Sequence, residues 1–139
     1  MSDALQIPKI AGARLCSVEK KDYSWFFSFT DNISVATEDA WRFVNANRIV
    51  VTSEDHGQQF DLPNPVNSSV CVLSVVQDTL TRSFRIDTST GDLFVYFSDD
   101  MFLQFLQMSG GYEAWRLFVG DCEFICTGGG EIARFNTKS

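Results

Sequence analysis

Two stretches of the chain share one order of apolar and polar positions. Residues 24–29 read "SWFFSF" and residues 93–97 read "LFVYF", and both runs are rich in the aromatic and β-branched residues that favour strands. A polar segment follows each run, "TDN" at 30–32 and "SDD" at 98–100, before the next apolar stretch begins. Asp and Asn tolerate the left-handed backbone of a tight turn. The pattern therefore predicts two β-hairpins.

A second pair of segments matches further along the chain. Residues 40–52 read "AWRFVNANRIVVT", and residues 114–127 read "AWRLFVGDCEFICT". Each consists of an apolar run, a turn rich in Asn, Gly or Asp, and a second apolar run. Both segments are therefore predicted to form a strand, a turn and a strand.

Alternation along these strands separates the Trp residues from the Arg residues, because successive side chains on a strand point to opposite faces. The Trp face is predicted to lie in the core; it holds Asp39, Trp41 and Phe43 in the first segment and Glu113, Trp115 and Leu117 in the second. The opposite face carries Arg42 and Arg116. These two are expected to be solvated charges or, alternatively, to border a ligand groove at equivalent positions.

The order of the segments predicts a degenerate internal duplication of residues 13–60 and 69–136 within a single domain, 1–139. The intervening residues 61–68, with two prolines, are expected to be a linker. In this alignment "RLCSV" at 14–18 corresponds to "VCVLSV" at 70–75, so the latter is predicted to be a strand. About twelve short strands indicate a mostly β fold, either an antiparallel barrel or two packed sheets, since both hide strand edges.

Residues 101–108 allow a second interpretation. The run "MFLQFLQM" places Phe102, Phe105 and Leu106 at helical spacing after an Asp that could cap a helix. Its counterpart "ISVAT" at 33–37 has no such spacing and is β-branched. The duplication therefore favours a strand over a helix here.

Composition adds limits to this fold. The 139 residues are enough for one domain, and 13 Phe, 3 Tyr and 3 Trp supply a large apolar core. No apolar run approaches the ~20 residues of a membrane span, and the first residues lack the pattern of a secretion signal. The protein is therefore expected in the cytoplasm and not in a membrane.

The four cysteines, Cys16, Cys71, Cys122 and Cys126, are expected to be reduced and buried. The chain has one histidine and no Cys-x-x-Cys pair, so a metal site is not expected, nor is any cofactor.

The net charge of −7 argues against a nucleic-acid-binding surface, which requires basic residues to displace counterions. It is compatible with a basic protein partner, because opposite fields speed encounter; the alternative is that it serves solubility alone. Acidic residues concentrate at predicted turns and strand ends. Together with both arginines and Tyr112 they form the candidate partner-binding set: Asp31, Glu38, Asp39, Arg42, Glu54, Asp55, Asp99, Asp100, Tyr112, Glu113 and Arg116.

Two motifs are candidates for a catalytic role. The run "CTGGGEIARF" at 126–135 lacks the Gly-Lys-Ser/Thr ending of a phosphate loop and is better interpreted as a glycine turn with positive φ angles. His56 is the only histidine available as a general base, and no nucleophile signature accompanies it. The protein is therefore not expected to be an enzyme.

The second half resembles a known group of proteins. The segments "GDLFVYFSDD", "GYEAWRLF" and "GGGEIARF" are similar to an uncharacterised family of small bacterial proteins that carries a Tyr-Glu-Ala-Trp strand and a Gly-Gly turn. Tyr112, Glu113 and Trp115 match that motif. The family is loosely similar in size and context to immunity proteins of bacterial toxin systems, and it has no established catalytic residues.

This resemblance, the small size and the acidic balance together predict an immunity-type protein that neutralises a basic toxin domain by direct contact. The alternative is a β domain that binds a small ligand in a pocket between the two repeats, with Arg42 and Arg116 as its lining. A third hypothesis, an enzyme using His56, has the least support.

Overall fold

The computed structural model describes residues 4–7 and 10–136. These residues form twelve strands and one α-helix, with short 3-10 turns at Ser53–Asp55 and Gly128–Gly130. The elements are β1 (Ala4–Ile7), β2 (Leu15–Lys21), β3 (Ser24–Phe29), β4 (Ile33–Thr37), β5 (Trp41–Asn45), β6 (Arg48–Thr52), α1 (Ser68–Val76), β7 (Ser83–Asp87), β8 (Leu93–Ser98), β9 (Met101–Phe105), β10 (Trp115–Val119), β11 (Cys122–Cys126) and β12 (Ile132–Asn136).

The strands lie in two six-stranded sheets, and all pairs are antiparallel. Sheet 1 has the order β1-β7-β8-β9-β5-β6, and sheet 2 has the order β12-β11-β10-β4-β3-β2. The mostly β prediction is confirmed, and of its two forms the structure is the pair of packed sheets rather than the closed barrel.

Each sheet combines strands from both halves of the chain. Sheet 2 contains β2-β3-β4 followed by β10-β11, and sheet 1 contains β7-β8-β9 followed by β5-β6 in the matching order. The two connections that cross between sheets, from β4 to β5 and from β9 to β10, leave at corresponding points, since Thr37 pairs with Trp115 and Phe105 pairs with Trp41. This internal symmetry is a property of the fold; the duplication that was inferred from sequence stays a prediction.

Both tryptophans of the Ala-Trp-Arg segments are fully buried, as predicted, and so are Phe43 and Leu117. Trp41 contacts the rings of Trp25 and Phe27 edge to face, with centroids 5.0 and 5.1 Å apart. Such pairs add to the free energy gained from burying the rings. The core between the sheets is therefore largely aromatic.

The strand predicted at residues 70–75 is wrong, because these residues lie in helix α1. The carboxamide oxygen of Asn67 accepts from the backbone N–H of Val70 at 3.1 Å and caps the helix. Ser68, Val72 and Val76, spaced at helical intervals, are buried where α1 contacts β2 and β6, the edge strands of the two sheets. This packing overrides the strand preference of the valines. In sheet 1 the strand that corresponds to β2 is β7, because β7 pairs with β8 as β2 pairs with β3 in sheet 2.

Other local predictions are confirmed. Residues 101–105 form strand β9 rather than a helix. Asp31 and Asn32, at the tip between β3 and β4, have φ angles of 64° and 61°. Gly129 and Gly130 have φ angles of 81° and 90°, as a glycine turn requires.

Two predictions about side chains need correction. Asp39 and Glu113 are not on strands with their neighbouring tryptophans, because β5 and β10 begin at Trp41 and Trp115. The cysteines are free thiols, but only Cys126 is buried; Cys16 is exposed, and Cys71 and Cys122 are half-buried. Among the described residues, no helix is both long and apolar enough to cross a membrane.

Candidate functional site

A groove of about 650 Å³ lies where the two crossing connections meet the outer face of sheet 2. The connection from β4 to β5 contributes two acids, and the longer connection from β9 to β10 contributes an apolar and aromatic side. We call this the crossover groove and define it by Ala36, Glu38, Asp39, Tyr112, Glu113 and Arg116.

The groove is open because the central residue of the sheet at this point is small. Ala36 on β4 lies in register between Phe26 on β3 and Arg116 on β10. Its side chain points away from the core, between the inward-facing Val35 and Thr37, which are buried. The short side chain leaves space beside the arginine.

The corresponding position in sheet 1 is filled. Gln104 on β9 lies in register between Phe94 and Arg42, and it is 7% exposed. Its side-chain oxygen accepts from Arg42 Nε at 2.9 Å, and its amide donates to Asp92 Oδ2 at 2.9 Å. Asp92 Oδ1 accepts from the backbone N–H of Gln107 at 3.0 Å. A satisfied polar network therefore closes this face.

The cation of the groove is already paired with acids. Arg116 contacts Glu113 at 3.1 Å and Glu123 at 3.5 Å. Both Arg116 and Glu113 are about half exposed, so these contacts hold the arginine's position more than they stabilise the fold. No ion pair among the described residues involves Glu38 or Asp39.

Asp39 is the most unusual polar group of the site. Its backbone N–H donates to Thr37 Oγ1 at 3.0 Å, and this hydroxyl donates to the carbonyl of Ala114 at 3.0 Å. The carboxylate oxygen Oδ2 is buried and accepts no hydrogen bond from the described residues. Burial raises the pKa of Asp39 above its usual value of 3.8, and the negative charge of Glu38 raises the pKa further.

The connection from β9 to β10 is held against the glycine turn. The side-chain amide of Gln107 donates to the carbonyls of Tyr112 at 3.1 Å and Thr127 at 2.7 Å. Gly128 packs closely on Gly111: a Cβ added to Gly128 would lie only 2.6 Å from the carbonyl carbon of Gly111. The glycine run therefore supports one side of the groove.

Five of the eleven candidate residues lie in the crossover groove: Glu38, Asp39, Tyr112, Glu113 and Arg116. Asp31, Asp99 and Asp100 lie in hairpin turns, and Glu54 and Asp55 lie in the 3-10 turn after β6. Several of these have structural partners: Asp99 pairs with Arg82 at 2.6 Å, and Asp55 accepts from the backbone N–H of Thr52 at 2.9 Å.

Arg42 lies on the outer face of sheet 1, so the structure does not bring it together with Arg116 in one pocket. The sequence interpretation also missed Ala36 and Met108. Met108 is 67% exposed and lies in the connection from β9 to β10. The only sequence feature that could have pointed to it is that this connection is longer than its counterpart in the first half of the chain.

His56 and Cys126, two groups that could serve in catalysis, are engaged in contacts within the fold. His56 Nδ1 accepts from the backbone N–H of Ser68 at 3.1 Å, and its ring contacts Trp25 edge to face at 5.1 Å. Burial raises the pKa of Cys126 to about 11, so this thiol is neutral at physiological pH. Among the described residues, no group of three or more His, Cys, Asp and Glu is placed to hold a metal ion.

Comparison of the chain with models of protein families, with curated proteins and with solved structures gives no match.

Proposed function

We propose that the protein is an immunity-type protein of the bacterial cytoplasm, which binds a basic toxin domain through the crossover groove and neutralises it. The observation that carries this proposal is the groove itself. It places two acids without ion-pair partners, Glu38 and Asp39, beside an exposed aromatic ring on a chain of net charge −7.

The exposed residues around the groove suit a protein interface. Tyr112 is 80% exposed and Met108 is 67% exposed, although both are large and partly apolar. Tyr and Met are enriched in the centres of protein interfaces, where burial of such side chains supplies much of the binding energy. Acids at the same surface steer a basic partner towards it.

Co-expression with the product of the neighbouring gene tests the proposal. We expect the wild-type protein to protect cells and to co-purify with that product, and we expect association to slow as salt screens the charges. The double variant Glu38→Gln/Tyr112→Ala should lose protection. The control Phe60→Ala removes an exposed aromatic ring outside the groove and should retain it. Absence of protection and of co-purification by the wild type would refute the proposal.

One observation favours a second candidate, a small-ligand-binding β domain. The groove lies between the two crossing connections, and its volume of about 650 Å³ falls within the range of small-molecule sites. Amines and other small cations would be its ligands, because its unpaired groups are acids. A thermal-shift screen checks this candidate; stabilisation by a small cation that Ala36→Gln abolishes would support it.

A further inference from the structure

We propose, building on the proposed function, that the crossover groove accepts an arginine side chain of the partner, with its guanidinium against Asp39 and Glu38 and beside the ring of Tyr112. Three features of the groove point to this occupant: an unsatisfied acceptor, an excess of negative charge, and an exposed aromatic ring.

The acceptor is the carboxylate of Asp39. A buried carboxylate oxygen without a donor is costly, and a donor that approaches it recovers that cost. The residue as a whole is half-buried and is one of the residues that line the groove. The last torsion of an Asp side chain is soft and roughly two-fold, which allows either oxygen to turn towards a donor.

The charge of the groove calls for a cation. Glu38, Asp39 and Glu113 line it, against Arg116 as its one cationic lining residue among those described. Glu113 and Glu123 both engage Arg116, which leaves Glu38 and Asp39 as adjacent acids. Burial, and after it the neighbouring charge of Glu38, raise the pKa of Asp39, so the negative charge of Asp39 is disfavoured in the empty groove. A cation bound beside the two acids would favour the charged form of Asp39.

The aromatic ring and the presence of two adjacent acids favour arginine over lysine. Guanidinium is planar, presents several donors in a fixed fork and stacks on aromatic faces. Two neighbouring carboxylates match several donors better than a single ammonium does. Tyr112 offers a largely exposed ring at the same groove.

The test uses three short peptides in place of the unidentified partner: acetyl-Gly-Arg-Gly-amide, the same peptide with lysine, and the same peptide with the neutral isostere citrulline. Backbone amide shifts of the full chain are followed by NMR during titration. We expect the arginine peptide to shift Glu38, Asp39, Tyr112 and Glu113. The lysine peptide should bind more weakly, and the citrulline peptide should produce no saturable shift.

A matched pair of variants locates the contact. Asp39→Asn removes one carboxylate and should weaken binding of the arginine peptide about tenfold, as loss of a charge-assisted hydrogen bond implies. Asp61→Asn makes the same chemical change at an exposed loop residue outside the groove and should leave binding unchanged. Both substitutions are nearly isosteric, so the variants are expected to fold.

The outcomes separate this inference from the proposed function. Equal shifts with the arginine and citrulline peptides, shifts confined to another surface, or an unaltered affinity of Asp39→Asn would each overturn the arginine site. If the wild type protects against a toxin and Asp39→Asn protects equally well, the proposed function stands and the arginine site falls. If the arginine peptide binds as expected but no toxin is neutralised, the site stands and the immunity function falls.

Discussion

The outer face of each sheet carries three cross-strand neighbours in a row, and the two rows differ only in their central residue. In sheet 2 the row is Phe26, Ala36 and Arg116, and in sheet 1 it is Phe94, Gln104 and Arg42. Both rows begin with phenylalanine and end with the arginine that follows a buried tryptophan. The central residue decides the outcome, because Gln104 closes its face with hydrogen bonds and Ala36 leaves a groove.

This difference shows how a symmetric fold can acquire an asymmetric surface. The inward faces of the two strands perform the same task, since Trp41 and Trp115 are both fully buried. On the outward faces, one arginine belongs to a closed network with Gln104 and Asp92, whereas Arg116 is tied to two acids at the border of an open groove. The predictions below break or sharpen this comparison.

The largest effect is expected where the two halves are alike. Trp41→Ala and Trp115→Ala should each lower the free energy of unfolding by about 3–5 kcal/mol, because each removes a fully buried aromatic side chain. Urea denaturation measures both values. Midpoints that barely move in either variant would contradict the equal structural role of the two tryptophans.

Replacing each central residue by its counterpart in the other sheet should change stability by unequal amounts. Gln104→Ala removes the donor to the carboxylate of Asp92, which is 8% exposed, and should cost about 1–3 kcal/mol of stability. Ala36→Gln adds a polar side chain on the outer face of sheet 2 and should change stability by about 0.5 kcal/mol or less. Thermal or urea unfolding measures both.

The second of these variants also tests the groove. If Ala36→Gln fills the space as Gln104 does in sheet 1, NMR titration should show that the arginine peptide no longer binds. Stable folding with undiminished peptide binding would mean that the central residue does not decide which face is open.

A smaller difference is expected between the two indole N–H groups. Trp115 Nε1 donates to the carbonyl of Gly91 at 2.8 Å, whereas Trp41 Nε1 is buried with no acceptor among the described residues. Replacement by phenylalanine removes a hydrogen bond only from Trp115. Trp115→Phe should therefore be less stable than Trp41→Phe by about 1 kcal/mol in urea unfolding. The reverse order would show that the Trp41 indole has a partner.

The smallest expected effect is the contribution of one group, the carboxyl of Asp39, to the pH dependence of stability. Because the folded protein raises the pKa of Asp39, the folded state holds this proton more tightly than the unfolded chain. Stability that comes from Asp39 is therefore present below its usual pKa of 3.8 and is lost as the pH rises through the higher folded value. Asp39→Asn should lose this portion of the slope, and Asp61→Asn should retain it, in unfolding curves measured from pH 3 to pH 7.

Local patterns predicted much of the fold, since hairpins and buried tryptophans depend on alternation within a few residues. Helix α1 was missed because its valines favour a strand locally, and the cap by Asn67 and the packing on two edge strands decide its state. The groove could be predicted only in part. Glu38 and Asp39 stood out as acids near a strand end, and Tyr112 stood out as part of the Tyr-Glu-Ala-Trp motif. The role of Ala36, however, depends on Arg116, a cross-strand neighbour from the other half of the chain.

The exchange of strands between the two halves also affects how the protein folds. Strand β4 bonds to β10 and strand β5 bonds to β9, so the centre of each sheet joins residues that are far apart in sequence. Such non-local pairing slows folding, typically to milliseconds or seconds, because loop-closure entropy is lost before contacts form. During synthesis on the ribosome, the centre of sheet 2 cannot form until β10 has emerged. Until then, the edge of β4 that pairs with β10 in the folded protein lacks its partner strand.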